Sequence, residues 1–257
     1  MKKLATVIAA SVATSLLLSS AVVAKEWTDV RLGVDSPYKP FEYKTPDGEL
    51  TGFEIDLGNE VCKRANWNCT WVVQSWDGII PGLLSRKYDA IFSSMSITEE
   101  RKKKVLFSEP YYNTPSGWFA AADFKLDVTD KAAFKKLRIG VQRGTVQDTY
   151  VTDHFASKNK IKRYNTSGDL LLDLEGGRLD MVLLDFPVGD TTLLIPEKKG
   201  AYAAVGDTFQ LGNGMGVALR KRDKSLAQTF NKVLAEIKTD GTYETIQAKY
   251  FSYSIKM

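Results

Sequence analysis

The chain of 257 residues is 44% hydrophobic and carries 35 Lys+Arg against 31 Asp+Glu, a formal charge of +4. That composition is too apolar for a disordered chain and long enough to bury a core, so one or two soluble globular domains follow. One histidine and two cysteines exclude His-rich metal clusters and most imidazole-dependent nucleophilic chemistry, while the positive balance leaves an anionic partner open.

The chain opens on Met1-Lys2-Lys3, then an apolar stretch from Leu4 to Leu18 interrupted by Thr6, Ser11, Thr14 and Ser15, then Ala21-Val22-Val23-Ala24. This is the order of a secretory signal peptide, too short and interrupted for a bilayer span. It predicts cleavage after Ala24 and a mature protein that starts at Lys25, outside the cytoplasm. Removing Lys2 and Lys3 takes Lys+Arg from 35 to 33 against 31 Asp+Glu, which withdraws most of the support for nucleic acid as a partner. Cys62 and Cys69, an even pair in an exported chain, predict a disulfide closing a short loop. No metal site and no cofactor motif is expected, and His154, between Asp153 and a polar run, reads as a surface residue.

Short β-like runs alternate with helix-like ones, the pattern of α/β units. An internal echo sharpens this. Val30-Arg31-Leu32-Gly33-Val34-Asp35 is matched by Leu137-Arg138-Ile139-Gly140-Val141-Gln142. Lys87-Tyr88-Asp89-Ala90-Ile91-Phe92-Ser93-Ser94 is matched, in the same order, by Arg178-Leu179-Asp180-Met181-Val182-Leu183-Leu184-Asp185. Two similar α/β lobes follow, with the first lobe at 25–112 and 215–257, the second at 118–206, and extended crossings at 113–117 and 207–214. Apolar spacing predicts a helix from Asp223 with Leu226, Phe230, Val233, Leu234 and Ile237 inward. A second begins at Asp240-Gly241-Thr242 with Tyr243, Ile246 and Tyr250 inward. Glycines 212 to 216 lack the Lys-Ser/Thr of a phosphate loop and read as a flexible turn.

In open α/β sheets ligands gather at the carboxyl ends of strands, which here are Asp35, Ser93-Ser94, Gln142 and Asp185. Thr98 with Glu99-Glu100 predicts a helix start that places Arg101 one turn in, beside free amides and the Ser94 strand end. Its guanidinium offers a bidentate fork to a carboxylate. The junction Gln142-Arg143-Gly144-Thr145-Val146-Gln147 offers further amides to an anion. One guanidinium and two carboxylates, Asp35 and Asp185, complement an amino acid with a cationic side chain. Tyr38 and Trp76 are placed to sandwich its stem and head.

Several segments carry a resemblance over essentially the whole chain: Gly52-Phe53-Glu54-Ile55-Asp56-Leu57, Trp76-Asp77-Gly78-Ile79-Ile80-Pro81, Asp89 to Thr98, Asp240-Gly241-Thr242-Tyr243 and the cysteine pair. The sequence resembles the periplasmic solute-binding proteins of polar amino acid ABC importers, most closely the lysine/arginine/ornithine- and histidine-binding group with its opine-binding relatives. The resemblance implies two α/β lobes joined by a two-strand hinge, a basic amino acid in the cleft, a membrane permease as partner, and a monomer. It implies that Arg101 binds the ligand α-carboxylate with amides at Ser94 and at Thr145 and Val146. Asp185, Ser94 and Ser96 would take the α-ammonium; Asp35, Tyr38, Trp76 and Ser93 would form the side-chain pocket, with Gln147 nearby. Val146 stands where the nearest relatives have Thr, and Trp76 where they have Phe or Leu, which keeps opines in view. A dehydratase of the same fold, with Glu109 or Asp77 as acid/base, is the rival from another class. A receptor sensor domain is disfavoured because the chain ends at Met257 with no membrane span or signalling domain.

Overall fold

The computed structural model describes residues 26–257, so the expected signal peptide at 1–24 lies outside the described residues. From the N-terminus come β1 (Asp29–Val34), a small hairpin of β2 (Tyr43–Lys44) and β3 (Leu50–Thr51), α1 (Phe53–Arg64) and β4 (Asn68–Val73). Then follow α2 (Ile79–Leu84), β5 (Ala90–Ile91), α3 (Glu99–Lys102), β6 (Leu106–Phe107), β7 (Ser116–Ala121), β8 (Arg138–Gln142) and α4 (Val146–Phe155). The chain continues through β9 (Lys160–Tyr164), α5 (Ser167–Glu175), β10 (Met181–Asp185), α6 (Phe186–Thr192), β11 (Tyr202–Phe209), β12 (Ala218–Leu219), α7 (Lys224–Thr239) and α8 (Thr242–Gln247).

These form two five-stranded sheets, ordered β4-β1-β5-β12-β6 and β11-β7-β10-β8-β9. Each contains a parallel trio with its first strand in the middle: β1 between β4 and β5, and β8 between β9 and β10. Each trio is extended by an antiparallel strand, β12 on β5 and β7 on β10, and β12 returns to the first sheet after the second crossing. The fold is therefore two α/β lobes of one design, as the echo predicts.

The echoed residues meet each other. The Arg31 amide and Nε donate to Asp89 Oδ2 at 3.2 and 3.0 Å, and the Asp89 amide returns a bond to the Arg31 carbonyl at 2.8 Å. In the other lobe the Arg138 amide donates to Asp180 Oδ2 at 2.6 Å, its Nε to Oδ1 at 3.1 Å, and the Asp180 amide bonds the Arg138 carbonyl at 2.9 Å. Each pair clamps the start of a central strand to the loop that feeds its parallel neighbour. The helix before each loop ends at a left-handed residue, Arg86 at φ 65° and Gly177 at φ 66°.

The second sheet begins inside one expected crossing, at Ser116, and runs into the other, to Phe209, because Ser116 pairs with both Asp185 and Phe209. Residues between the sheets are pinned to the first lobe: Met215 bridges Ser96 and Tyr112. Helix α7 buries Leu226, Phe230, Val233, Leu234 and Ile237, and α8 buries Tyr243 and Ile246. Tyr250, expected on the inner face of α8, lies past its end and donates its hydroxyl to Asp56 at 2.9 Å. In the first lobe Phe41 packs on Phe53, Tyr112 and Phe251; in the second Trp118, Phe134 and Phe155 pack together. Cys62 and Cys69 are bonded, tying α1 to β4. His154 is exposed and stacked on Tyr150.

Candidate functional site

The strand ends of both lobes face one cleft. Asp35 follows β1 and Gln142 ends β8, and Gln142 Nε2 donates to Asp35 Oδ2 at 2.9 Å across the cleft. Asp185 ends β10 and accepts the Tyr38 hydroxyl at 2.5 Å and Gln147 Nε2 at 3.0 Å. Further bonds cross from lobe to lobe: Trp76 Nε1 and Arg101 Nη2 both donate to the Gly144 carbonyl at 3.3 Å, and Ser167 donates to the Pro37 carbonyl at 2.7 Å. The lobes are thus held shut around a small, tightly closed cavity lined by Asp35, Tyr38, Glu42, Trp76, Ser94, Ser96, Arg101, Gln142, Thr145, Val146, Gln147 and Asp185.

Arg101 is anchored by Nη1 on the Ser96 carbonyl at 2.8 Å and lies over the Trp76 ring at 5.3 Å. Contrary to the expectation of free amides around it, the Thr98 hydroxyl caps the Arg101 amide at 3.2 Å, and α3 is only four residues long. The free amides are in the other lobe. Thr145 caps α4 by accepting from the Asp148 amide at 3.1 Å, while the amides of Thr145 and Val146 donate to no described residue. A ten-residue helix there adds its dipole.

The electrostatics are lopsided. Asp35, Glu42 and Asp185, at 3%, 1% and 5% exposure, bring three carboxyls to a cavity with one guanidinium. Burial pushes Asp35 and Asp185 up to about 6, against the opposing hydrogen bonds from Gln142 and Tyr38 respectively. Glu42 is raised well above the carboxylate range by burial and by neighbouring Glu54. Arg101 is partly exposed at the cleft mouth but enclosed by protein, which lowers it to about 10 and leaves it cationic at neutral pH.

Ten of the sequence-predicted residues line the cavity: Asp35, Tyr38, Trp76, Ser94, Ser96, Arg101, Thr145, Val146, Gln147 and Asp185. Ser93 does not. It is fully buried, donates its hydroxyl to Glu42 at 2.8 Å and accepts the Asp35 amide at 2.9 Å, so it stands behind the wall. Glu42 lines the cavity without having been expected there, and Gln142, expected at the cleft as a strand end but given no ligand contact, lines it too. Gln142 carried a signal as a strand end, whereas Glu42 follows Phe41 in a loop and carried none. Glu109 lines a separate groove with Phe107 and Pro110, and Asp77 a neighbouring recess with Ile80 and Leu84.

Two α/β lobes closing a polar cleft between opposed strand ends define a two-lobed binding protein for a small molecule. The chain belongs to the bacterial extracellular solute-binding proteins, family 3, whose model matches residues 30–253. It is 39% identical to the L-arginine-binding protein of Pseudomonas aeruginosa over 99% of this chain and 98% of that one. It is 37% identical to the histidine-binding periplasmic protein of Salmonella typhimurium over 99% of each. Among solved structures, an ancestral arginine-binding protein bound to arginine superposes with a TM-score of 0.82 at 32% identity, covering 87% of this chain and 98% of that chain. These relatives are binding proteins of the kind the sequence resembles.

Proposed function

We propose that the protein captures a basic amino acid in the periplasm by closing its two lobes and delivers it to the membrane permease of an ABC importer. The observation that carries the reading is the charge of the cavity: with Glu42 raised well above the carboxylate range and so uncharged at neutral pH, Asp35 and Asp185 exceed the Arg101 guanidinium by one, which a ligand with two cationic groups and one carboxylate balances. Arg101 and the amides of Thr145 and Val146 bind the α-carboxylate. Asp185, with Ser94 and Ser96, takes the α-ammonium. Asp35 takes the cationic head, with Gln142 and Gln147 beside it, and Tyr38 and Trp76 flank the stem. The relatives' names support arginine, histidine or lysine-like ligands.

No covalent step is part of this reading. The acid/base candidates Glu109 and Asp77 lie outside the cavity, which disfavours the dehydratase alternative. A thermal-shift screen of arginine, lysine, ornithine, histidine and opines tests the reading, with prephenate and arogenate assayed for turnover. A ligand at a hundred times its dissociation constant stabilises by about 2.7 kcal/mol. A shift with the basic amino acids and no turnover is expected. Stabilisation by neutral or acidic amino acids alone, or product from either acid, would overturn it.

A further inference from the structure

Two buried carboxyls, Glu42 and Glu54, have no cationic partner among the described residues. They are 1% and 0% exposed and come from different elements, a loop ahead of β2 and the first turn of α1. Both end on Ser94. Glu54 Oε1 accepts the Ser94 amide at 2.7 Å, and Glu42 Oε2 accepts the Ser94 hydroxyl at 3.2 Å. The Tyr112 hydroxyl lies 2.8 Å from both Ser94 Oγ and Glu54 Oε1 and shares its one proton between them, and Tyr111 braces Glu54 from the other side. Ser94 has φ 43°, a left-handed backbone that a residue with a Cβ adopts only when its surroundings over-determine it. Every polar group of Ser94 except its carbonyl is committed to these partners, and no described residue donates to that carbonyl.

We propose that Glu42 and Glu54 are positioning residues: together they hold Ser94 in the left-handed conformation, and so fix how the carboxyl end of β5 presents itself to the ligand. Removing either carboxyl frees Ser94 to relax toward negative φ, and the peptide that follows it turns with it. The same Glu42 carboxyl reaches Asp35 through Ser93, whose hydroxyl donates to Glu42 and accepts the Asp35 amide. Two cleft-lining strand ends of the first lobe are therefore set by one buried network.

The affinity readout of this inference rests on the amino-acid-binding reading, and a second readout does not. Arginine binding is measured by calorimetry for Glu42→Ala and Glu54→Ala, each alone and in combination with Ser94→Gly or Ser94→Ala. Glycine enters positive φ freely, whereas alanine lacks the hydroxyl but keeps the Cβ that resists it. Each single carboxyl substitution is expected to weaken arginine binding about tenfold or more, Ser94→Gly to recover at least half of that loss on a logarithmic scale, and Ser94→Ala to recover none. Equal losses in all three backgrounds would overturn the inference. Independently of any ligand, the ¹³Cα and ¹³Cβ shifts of Ser94 report its backbone conformation. They are expected to leave the left-handed range in Glu42→Ala, which opens onto the cavity and leaves Glu54 in place to support the fold. Unchanged shifts in that variant refute the inference whether or not arginine binds.

Discussion

Lowering the pH from 7 to 5 should weaken arginine binding far more than glutamine binding. Asp35 and Asp185 are both pushed up to about 6 by burial, so each is largely ionised at pH 7 and largely protonated at pH 5. If a cationic group requires the ionised form, each carboxyl costs roughly tenfold in affinity over that interval, or about 1.4 kcal/mol. Arginine, which engages both, should lose on the order of a hundredfold; glutamine, whose side chain places no cation at Asp35, should lose on the order of tenfold. Glu54, raised to about 7, titrates in the same window but is bonded by Ser94, Tyr111 and Tyr112 and does not line the cavity, so it contributes equally to both ligands. Calorimetry at pH 5, 6, 7 and 8 in buffers of different ionisation enthalpy gives both the affinity and the protons released. Equal slopes for the two ligands, or arginine affinity unchanged at pH 5, would refute the assignment of charge to this cleft. The ligand-free protein should respond in the opposite sense. A carboxyl whose folded pKa lies above its unfolded value stabilises fully below the unfolded value and loses that contribution as pH rises through the folded one, so the ligand-free Tm should rise from pH 7 to pH 5.

Other consequences follow from single contacts. Trp76→Phe removes the indole bond to the Gly144 carbonyl that spans the cleft, so arginine should dissociate roughly 3–10-fold faster by stopped-flow fluorescence, the equivalent of about 0.5–1.5 kcal/mol; an unchanged rate would contradict the latch. Replacing Cys62 and Cys69 together by Ser should cost roughly 2–3 kcal/mol in urea unfolding while leaving the arginine Kd intact, because the bridge joins α1 to β4 and does not line the cavity. Asp89→Ala removes one of the two carboxylates that hold Arg220, which is 7% exposed, donates to Asp89 at 2.9 Å and keeps Asp223 at 2.5 Å, and should cost roughly 1.5–3 kcal/mol of stability; a cost below about 0.5 kcal/mol would show the contact to be replaceable.

Much of this architecture was legible in the sequence because it is repeated. The Arg31 and Arg138 motifs, the Asp89 and Asp180 motifs, and the polar residue ending each apolar run mark strand starts, feeding loops and cleft positions in both lobes. The charged residues at the strand ends were legible because an Asp after a buried strand requires a reason. What escaped depends on contacts between segments distant in the chain. Glu42 reaches the cleft wall because the loop from Tyr38 to Glu42 folds back on itself, with the Tyr38 amide bonded to the Glu42 carbonyl at 2.6 Å. Ser93 was placed in the side-chain pocket by the family resemblance, yet the left-handed turn at Ser94 sends the two hydroxyls to opposite oxygens of one buried carboxyl, that of Glu42. The capping of Arg101 by Thr98 was half legible: the cap was predicted, but not that it would take the amide of Arg101 itself.

The proposed recognition has three points, with the carboxylate on Arg101, the α-ammonium on Asp185 and the cationic head on Asp35. Calorimetric titration of the purified protein with L-arginine, agmatine and L-citrulline separates the contacts, since agmatine lacks the carboxylate and citrulline carries a neutral head. Arginine is expected to bind one-to-one, with both analogues weaker by about a hundredfold or more, as follows from loss of a buried charged contact. Agmatine or citrulline binding as tightly as arginine would contradict that recognition.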